Sequence, residues 1–316
     1  MKIQQFRNIF PDLKIARYNL AAWQEPERGS IFFIGREVTA AGVDGEPDNG
    51  VLKLFEVNSD GVTVQERLIW KPLFDGINLE DPRALEIANE HLVIGLTAVL
   101  RDKTGKPIPF PAIIKIDSHN TWQHELPPFL IISSFGPGKN ITPIDNTTYL
   151  FRPDGSEHNH KLLVFSLHRQ VAEQISEIEF PKNLPWAQWR MGTTMPPTWL
   201  NENEALFIVH GISMMQVNGK EKYVYSLGRA KLSRRNNTFT VTVAPDPILT
   251  PDDFVREDGT PLVNELHPEL RRVVYSCGGI INKDKPDTLT LYVNVGDRTT
   301  FEVGFSLKEL KEGLFQ

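Results

Sequence analysis

The sequence predicts an all-β fold, and three observations predict it. Short runs rich in β-branched and aromatic residues recur from one end of the chain to the other. Most are bounded by clusters of Gly, Pro, Asn or Asp, as turns between strands require. No Pro/Gly/Ser-rich linker or charge block divides the 316 residues, so one domain over 1–316 is expected. Many short strands without a boundary suit a closed architecture that removes sheet edges, a propeller or a large barrel. At about 60 residues per blade the chain would make five blades of four strands, although no repeat signature is legible.

In chain order, strands are predicted at IFFIGREV (31–38), VLKLFEV (51–57), HLVIGLTAV (91–99), AIIKI (112–116), TTYLFR (147–152) and KLLVFSL (161–167). The series continues with ALFIVHG (205–211), KYVYSLGRAKL (222–232), TFTVTV (238–243) and TLTLYVNV (288–295). VNSDGVTV (57–64) and VNGKEKYV (217–224) read as hairpin or loop connections, and KPIPFP (106–111) as a Pro-rich loop. FSLKELKEGL (305–314) has helical spacing, with Leu307, Leu310 and Leu314 on one face and Ser306 as N-cap. A short C-terminal helix is therefore expected.

Composition excludes several classes. Net charge is −6 and no concentrated basic stretch is present, which argues against nucleic-acid and membrane-surface partners. Cys277 is the single cysteine, so neither a disulfide framework nor a thiolate zinc site can form. The first twenty residues alternate charge with apolar residues and hold no apolar core of signal-peptide type. The longest apolar run, near 92–100, is too short to span a bilayer. A cytoplasmic, soluble protein is expected. The sequence leaves open whether it forms a homo-oligomer. HExxH, EF-hand, GxSxG and GxGxxG patterns are absent, so metalloprotease, calcium, esterase and dinucleotide chemistry lack support, and neither metal nor cofactor is expected.

LEDPRA (79–84) is the stretch with the most local chemistry. Pro82 has a fixed φ and pushes Asp81 out of the right-handed α region. In an extended segment Asp81 and Arg83 would share a face while Glu80 points away. His168 ends KLLVFSLHR on a strand face it makes polar, and His210 ends the apolar strand ALFIVHG in the same way. There Gly211 permits a close backbone approach. GPGKN (136–140) would present Lys139 and free N–H groups to an anion without the spacing of a Walker loop. HNH (158–160) lies in a polar loop.

Taken together and in order, these stretches resemble glycoside hydrolase family 130, the β-mannoside phosphorylases and β-mannosidases. RYNLAAW (17–23) before IFFIGREV is similar to the family's Asn-Pro-Ala … Leu-Leu-x-Arg segment, with Leu20 where proline is usual. LEDPRA resembles its Glu-Asp-Pro-Arg motif, GPGKN its Lys-Asn/Asp segment and VFSLHR its His-Arg strand. WRMGTTMPPTWL (189–200), FIVHG (207–211) and YSLGRAKL (225–232) resemble its Gly-x-x-Pro-Pro to Tyr-x-Leu-Gly run. PDPILTPDDF (245–254), VVYSCGGI (273–280) and LYVNVGD (291–297) continue in register. VNVGD stands where Tyr-Tyr-Gly-Ala-Ala-Asp is common and keeps Asp297.

The resemblance implies a five-bladed β-propeller with sugar bound at the mouth of the central channel. It also implies an inverting mechanism with Asp81 as proton donor, acting in the phosphorylases through a sugar hydroxyl. Asn19, Arg36, Glu80, Arg83, His210 and Asp297 would contact an oligosaccharide substrate. Lys139 and His168 would bind inorganic phosphate as co-substrate, and Arg101 is a third candidate by its distance after the aspartate. Arg83 beside Asp81 would favour the ionised carboxylate, which fits an indirect relay. Phosphorolysis of β-1,4- or β-1,2-linked mannosides to mannose 1-phosphate is thus the leading expectation. Alternatives are inverting hydrolysis, which needs a second carboxylate to activate water, another propeller glycosidase acting on arabinosides or fructosides, and a non-catalytic sugar-binding propeller. Trp186, Trp189 and Trp199 are candidates for sugar stacking or core packing.

Overall fold

The computed structural model describes residues 3–24, 30–42, 48–58, 63–70, 77–87, 91–117, 129–217, 219–269, 271–281 and 285–315. Five small sheets, antiparallel except for one short parallel strand added to the fourth, form a five-bladed β-propeller. Blade 1 runs outward through Ala16–Gln24, Ile31–Ala40, Asn49–Val57 and Thr63–Trp70. Blade 2 follows with Ile77–Ile87, His91–Arg101, Pro107–Asp117 and Leu130–Ile131. Blade 3 holds Gly138–Pro143, Thr148–Pro153, Lys161–His168 and Val171–Glu179. Blade 4 is built on Arg190–Thr193, Glu204–Val217, Lys220–Arg235 and Thr238–Leu249, with two short strands added to it. Blade 5 takes Val274–Ile281, Thr288–Val295 and Thr299–Ser306, and its outermost strand is the N-terminal Gln5–Asn8. Pairing of Gln5–Asn8 with Thr299–Ser306 closes the ring by hydrogen bonds between the two ends of the chain.

The near-continuous apolar runs follow from this stacking, because a blade between two others must be apolar on both faces. In blade 2, Leu92, Ile94 and Leu96 pack with Phe32, Ile34 and Leu54 of blade 1. The alternate residue Val93 packs with Ile141, Tyr149 and Phe151 of blade 3. Further clusters fill the other junctions, blade 3 against 4, 4 against 5, and 5 against 1. Val171–Glu179 is the polar outer strand of blade 3 and is largely exposed, so it carries little strand signal in sequence.

Two expectations change. KPIPFP is not a loop: a strand begins at Pro107 and pairs in register with Arg101, Val99 and Thr97 through Pro107, Pro109 and Pro111. The Pro111 carbonyl accepts from Ile132 N–H on the outer side. By alternation the three missing N–H groups therefore face the outer edge, where a ladder bond is not needed. The C-terminal helix spans only Leu307–Lys311. Leu307 and Leu310 pack into the junction of blades 4 and 5, and Ser306 precedes the helix without a side-chain cap bond. Gly313 at φ +75° turns the chain away, and Leu314 is buried beyond the helix. In VNGKEKYV the flanking strands pair antiparallel from Val217 and Lys220 onward, while residue 218, like residues 59–62 of VNSDGVTV, lies outside the described residues. No helix among the described residues is long and apolar enough to cross a membrane.

Candidate active site

Blades 1, 2 and 3 share a device that the sequence does not announce. The innermost strand of each breaks register at one place, between Tyr18 and Ala21, between Glu80 and Arg83, and between Lys139 and Thr142. At each break an Asn or Asp adopts positive φ: Asn19 at 56°, Asp81 at 51° and Asn140 at 64°. Short polar side chains tolerate this conformation best, and such bulges re-aim side chains. As a result two consecutive residues per strand line one cavity: Tyr18 and Asn19, Glu80 and Asp81, Lys139 and Asn140. The cavity is about 510 Å³ and opens at the mouth of the channel.

The bulge corrects the extended reading of LEDPRA. Pro82 bars Asp81 from right-handed α but not from positive φ, and Glu80 joins Asp81 in the cavity instead of pointing away. Arg83 is fully buried beneath the cavity. Its guanidinium donates to the Asp81 backbone carbonyl at 2.8 Å, to Asn140 Oδ1 at 3.0 Å and to the Tyr275 hydroxyl. These bonds brace blades 2, 3 and 5, and none of them goes to the Asp81 carboxylate. That carboxylate accepts instead from Asn19 Nδ2 at 2.6 Å.

On the side formed by blades 1, 2 and 5, the polar groups are extensively paired. Arg36 lies 3.3 Å from Glu80 and donates to the Tyr18 hydroxyl and the Asp48 carbonyl. Burial opposes its charge, but Tyr18, Glu80 and Asp81 hold its pKa above the usual value. Glu80 also meets Lys139 at 3.3 Å. Burial works against the Glu80 charge, yet Arg36 and Lys139 hold it below the usual carboxylate range. Asp297 sits on the tight hairpin turn after Val295, with Gly296 at φ +67° and itself at 51°. It pairs with Arg271 at 2.7 Å and accepts from Asn294 at 2.7 Å. Asp48 is shared by Tyr18 at 2.8 Å and His267 at 2.9 Å.

On the side formed by blades 3 and 4, cations gather. Lys139 is opposite Arg152 in the ladder, and Arg190 begins the inner strand of blade 4. Arg152 is only 4% exposed, and its Nε and Nη1 find no hydrogen-bond partner among the described residues. Burial, then nearby Arg190, bring its pKa down to about 10. Arg190 donates through Nε to Asn159 at 2.8 Å. Its guanidinium lies 4.4 Å over the Trp189 ring, which stacks on Tyr223 at 4.6 Å. His210 meets the Thr193 carbonyl through Nδ1 at 3.0 Å, so this nitrogen carries the proton. Burial, with Arg152 and Arg83, holds its pKa well below the usual value. Gly192 is required here, because a Cβ would lie 2.5 Å from the His210 ring and 2.8 Å from Asn140 Nδ2.

Of the residues expected from sequence, Asn19, Arg36, Glu80, Asp81, Lys139, His210 and Asp297 meet in this cavity, with Arg83 directly beneath. His168 does not. It is exposed at the other end of blade 3, before a turn in which Arg169 and Gln170 have positive φ. Since Arg152 marks the cavity end of that blade, His168 lies on the far face. Arg101 is exposed as the last residue of its strand and donates to the Gly105 carbonyl in the following turn at 2.7 Å. Asp102 is spent on the same turn, accepting from Thr104 and Lys106. Neither His168 nor Arg101 lines the cavity.

Sequence reasoning missed Arg152, Arg190 and Arg271. FRPDG and WRMG do place an arginine at a strand end or start, but nothing local says which end faces the cavity. Trp186 fills space left by Gly211 and Gly228, and Trp199 packs between blades 3 and 4. Both are core residues. His160 is buried against the Gln188 carbonyl, and no group of three or more His, Cys, Asp or Glu among the described residues could hold a metal ion.

No family model matches the sequence, and no curated protein matches it. Solved structures do. The fold is similar to β-1,2-mannobiose phosphorylase from Listeria innocua, solved with β-1,2-mannobiose (TM-score 0.66, 14% identity, 98% of this chain and 93% of that one). It is also similar to a GDP-Man-dependent mannosyltransferase from Leishmania mexicana (TM-score 0.59, 18% identity, 99% and 92%). A mannose phosphorylase from the same organism, solved with phosphate ion, is a third (TM-score 0.58, 13% identity, 94% and 86%). At these identities the likeness establishes the five-bladed fold over nearly the whole chain.

Proposed function

We propose that the protein is an inverting carbohydrate-active enzyme that cleaves β-mannosides by phosphorolysis, with Asp81 as proton donor. The observation that carries this reading is the cavity's division into a strained, oriented carboxylate on one side and a buried cation cluster on the other. A guanidinium with unmatched donors in a sugar-sized cavity calls for an oxyanion, and Lys139, Arg152 and Arg190 supply charge and fork geometry for phosphate. His168 and Arg101 have no part in it. An oxygen of phosphate bonds to the anomeric carbon as the bond to the leaving sugar breaks. The proton of Asp81 reaches the leaving oxygen directly or through a sugar hydroxyl. Phosphate brings its own nucleophilic oxygen, so a single working carboxylate suffices. The names of the similar structures, two of them mannoside or mannose phosphorylases, support the same substrate class.

A second reading is mannosyl transfer from a sugar nucleotide. The adjacent guanidiniums of Arg152 and Arg190 suit a diphosphate as well, and one similar structure is a GDP-Man-dependent transferase. The test is turnover of β-1,4- and β-1,2-mannobiose with and without phosphate, and of GDP-mannose with mannose as acceptor. Phosphate-dependent mannose 1-phosphate that disappears in Asp81→Asn and Arg152→Met is the expected result. Free mannose without phosphate would mean hydrolysis, and oligosaccharide made only from GDP-mannose would mean transfer. Binding of mannosides without product in any arm would mean a sugar-binding protein.

A further inference from the structure

The Asp81 carboxylate is reached through a chain of amides whose direction is dictated from the far end. Arg271 pairs with Asp297 Oδ2 at 2.7 Å. A guanidinium can only donate, so the carboxylate facing it serves as the acceptor. Asn294, fully buried, must therefore turn its amide nitrogen to Asp297 Oδ1, and it does so at 2.7 Å. The second hydrogen of the same nitrogen goes to Asn19 Oδ1 at 3.1 Å. With its oxygen occupied, Asn19 has only its nitrogen to offer Asp81 Oδ1, at 2.6 Å. A second observation agrees: Asn294 Oδ1 is buried without a hydrogen-bond partner. The amide keeps this orientation although it leaves an acceptor unmatched, so the demand for donors decides it.

We propose that Asn294 is a positioning residue that sets the Asn19 amide, so that Asp81 Oδ1 always accepts and the proton to be delivered resides on Oδ2. The proposal rests on reading Asp81 as the proton donor. It concerns a position where the chain departs from the pattern it resembles, since Asn294 belongs to VNVGD. The other groups that act on Asp81 do not depend on the relay. They are Arg36 from blade 1, Lys139 from blade 3, Arg83 on its own strand, and Tyr275 and Cys277 from blade 5. Glu80 adjoins it in sequence. Reversing the relay should therefore show against a constant background.

Three variants of the full chain test this. Asn294→Asp presents an acceptor to Asn19, which must then flip and face Asp81 with its oxygen. The double variant Asn294→Asp with Asp297→Asn has the wild-type net charge but the same reversed direction. Asn294→Leu removes the relay without adding charge. In the first two, kcat for the mannoside is expected to fall about 100-fold. Asp81, followed by its carboxyl carbon resonance (assigned by its loss in Asp81→Asn), is expected to bind its proton about tenfold more tightly. Asn294→Leu should lower kcat about tenfold with KM unchanged, and the Asn19 side-chain amide resonance should broaden as both orientations become populated.

Recovery of activity in the double variant would mean that only charge mattered and would overturn the proposal. So would an Asn294→Leu enzyme indistinguishable from wild type. If Asn294→Asp fails to fold, the other two variants still decide. If the wild type turns over no mannoside, the functional reading fails, while the resonance titration of Asp81 tests the relay by itself.

Discussion

The two halves of the cavity are built on opposite principles. On the side of blades 1, 2 and 5, Arg36 meets Glu80, Arg271 meets Asp297, and the amides of Asn19 and Asn294 run between the carboxylates. On the side of blades 3 and 4, burial and then nearby Arg190 lower the Arg152 pKa, and Arg152 keeps two buried nitrogens without partners among the described residues. On the first side each guanidinium faces a carboxylate, and such a network rigidifies and orients even though Arg36 Nε, Arg271 Nε and Asn294 Oδ1 are buried there without partners among the described residues. An unmatched buried cation is destabilising and persists where something else compensates it. The difference teaches that opposite charges paired across blades fix geometry in the first half, while the second half carries the excess positive charge on which the proposed phosphate site rests.

The sharpest way to break the comparison is on the oriented side. Asp81→Asn keeps shape and hydrogen bonding to Asn19 but cannot deliver a proton. Turnover should fall about 1,000-fold, while mannoside binding measured by calorimetry stays within about threefold of wild type. Loss of binding together with turnover would assign Asp81 to substrate contact instead.

On the unmatched side, Arg152→Met should separate function from stability. Activity in phosphate should fall about 100-fold. The protein itself should become more stable by about 1–2 kcal/mol, because a buried guanidinium with two unmatched nitrogens is replaced by an apolar side chain of similar length. Glu80→Gln should do the reverse and destabilise by about 3 kcal/mol, since it leaves Arg36 and Lys139 without their shared carboxylate. Denaturant unfolding of both variants checks the opposed signs, and equal signs would erase the contrast between the two halves.

Acid should expose the same contrast more gently. His210 is held neutral by burial, so the unfolded chain binds its proton first and stability starts to fall below about pH 6.5. Glu80 and Asp48 are held below the usual carboxylate range, Glu80 by Arg36 and Lys139 against burial, and Asp48 by the Gly42 N–H and Tyr18 hydroxyl against burial. Their contribution is complete above about pH 5 and is lost as the pH falls through their folded values. Melting temperature followed from pH 7 to pH 3 should drop in two stages, and Glu80→Gln should flatten the second. The smallest effect is expected at His168. It lies on the far face, and His168→Ala should leave turnover within about twofold of wild type. A large loss there would return it to the site.

Much of this was legible in sequence where the signal is local. Alternation and turn residues marked strands such as 91–99 and 288–295, and Leu307 and Leu310 marked the helix that packs under blade 5. Local rules failed where the tertiary structure demands something else. Asp81 reads as extended before Pro82, yet the inner strand of blade 2 bulges there, and Glu80 lines the cavity beside Asp81. KPIPFP reads as a loop because the outer edge that tolerates three prolines exists only once blade 2 is assembled. His168 and Arg152 illustrate the same limit within one blade. Each is a basic residue near the end of a strand, but antiparallel pairing carries Arg152 to the mouth and His168 to the far face.

By itself the sequence determined the β class, the punctuation of the chain, the terminal helix and the aspartate around which the site is read. Periodicity and turn chemistry act over a few residues, so a few residues suffice to read them. Only the tertiary structure decided which cations gather, which way each inner strand bulges, and that Asn294 sits behind Asn19. Those partners come from blades far apart in sequence, and they meet because Gln5–Asn8 pairs with Thr299–Ser306 and closes the ring.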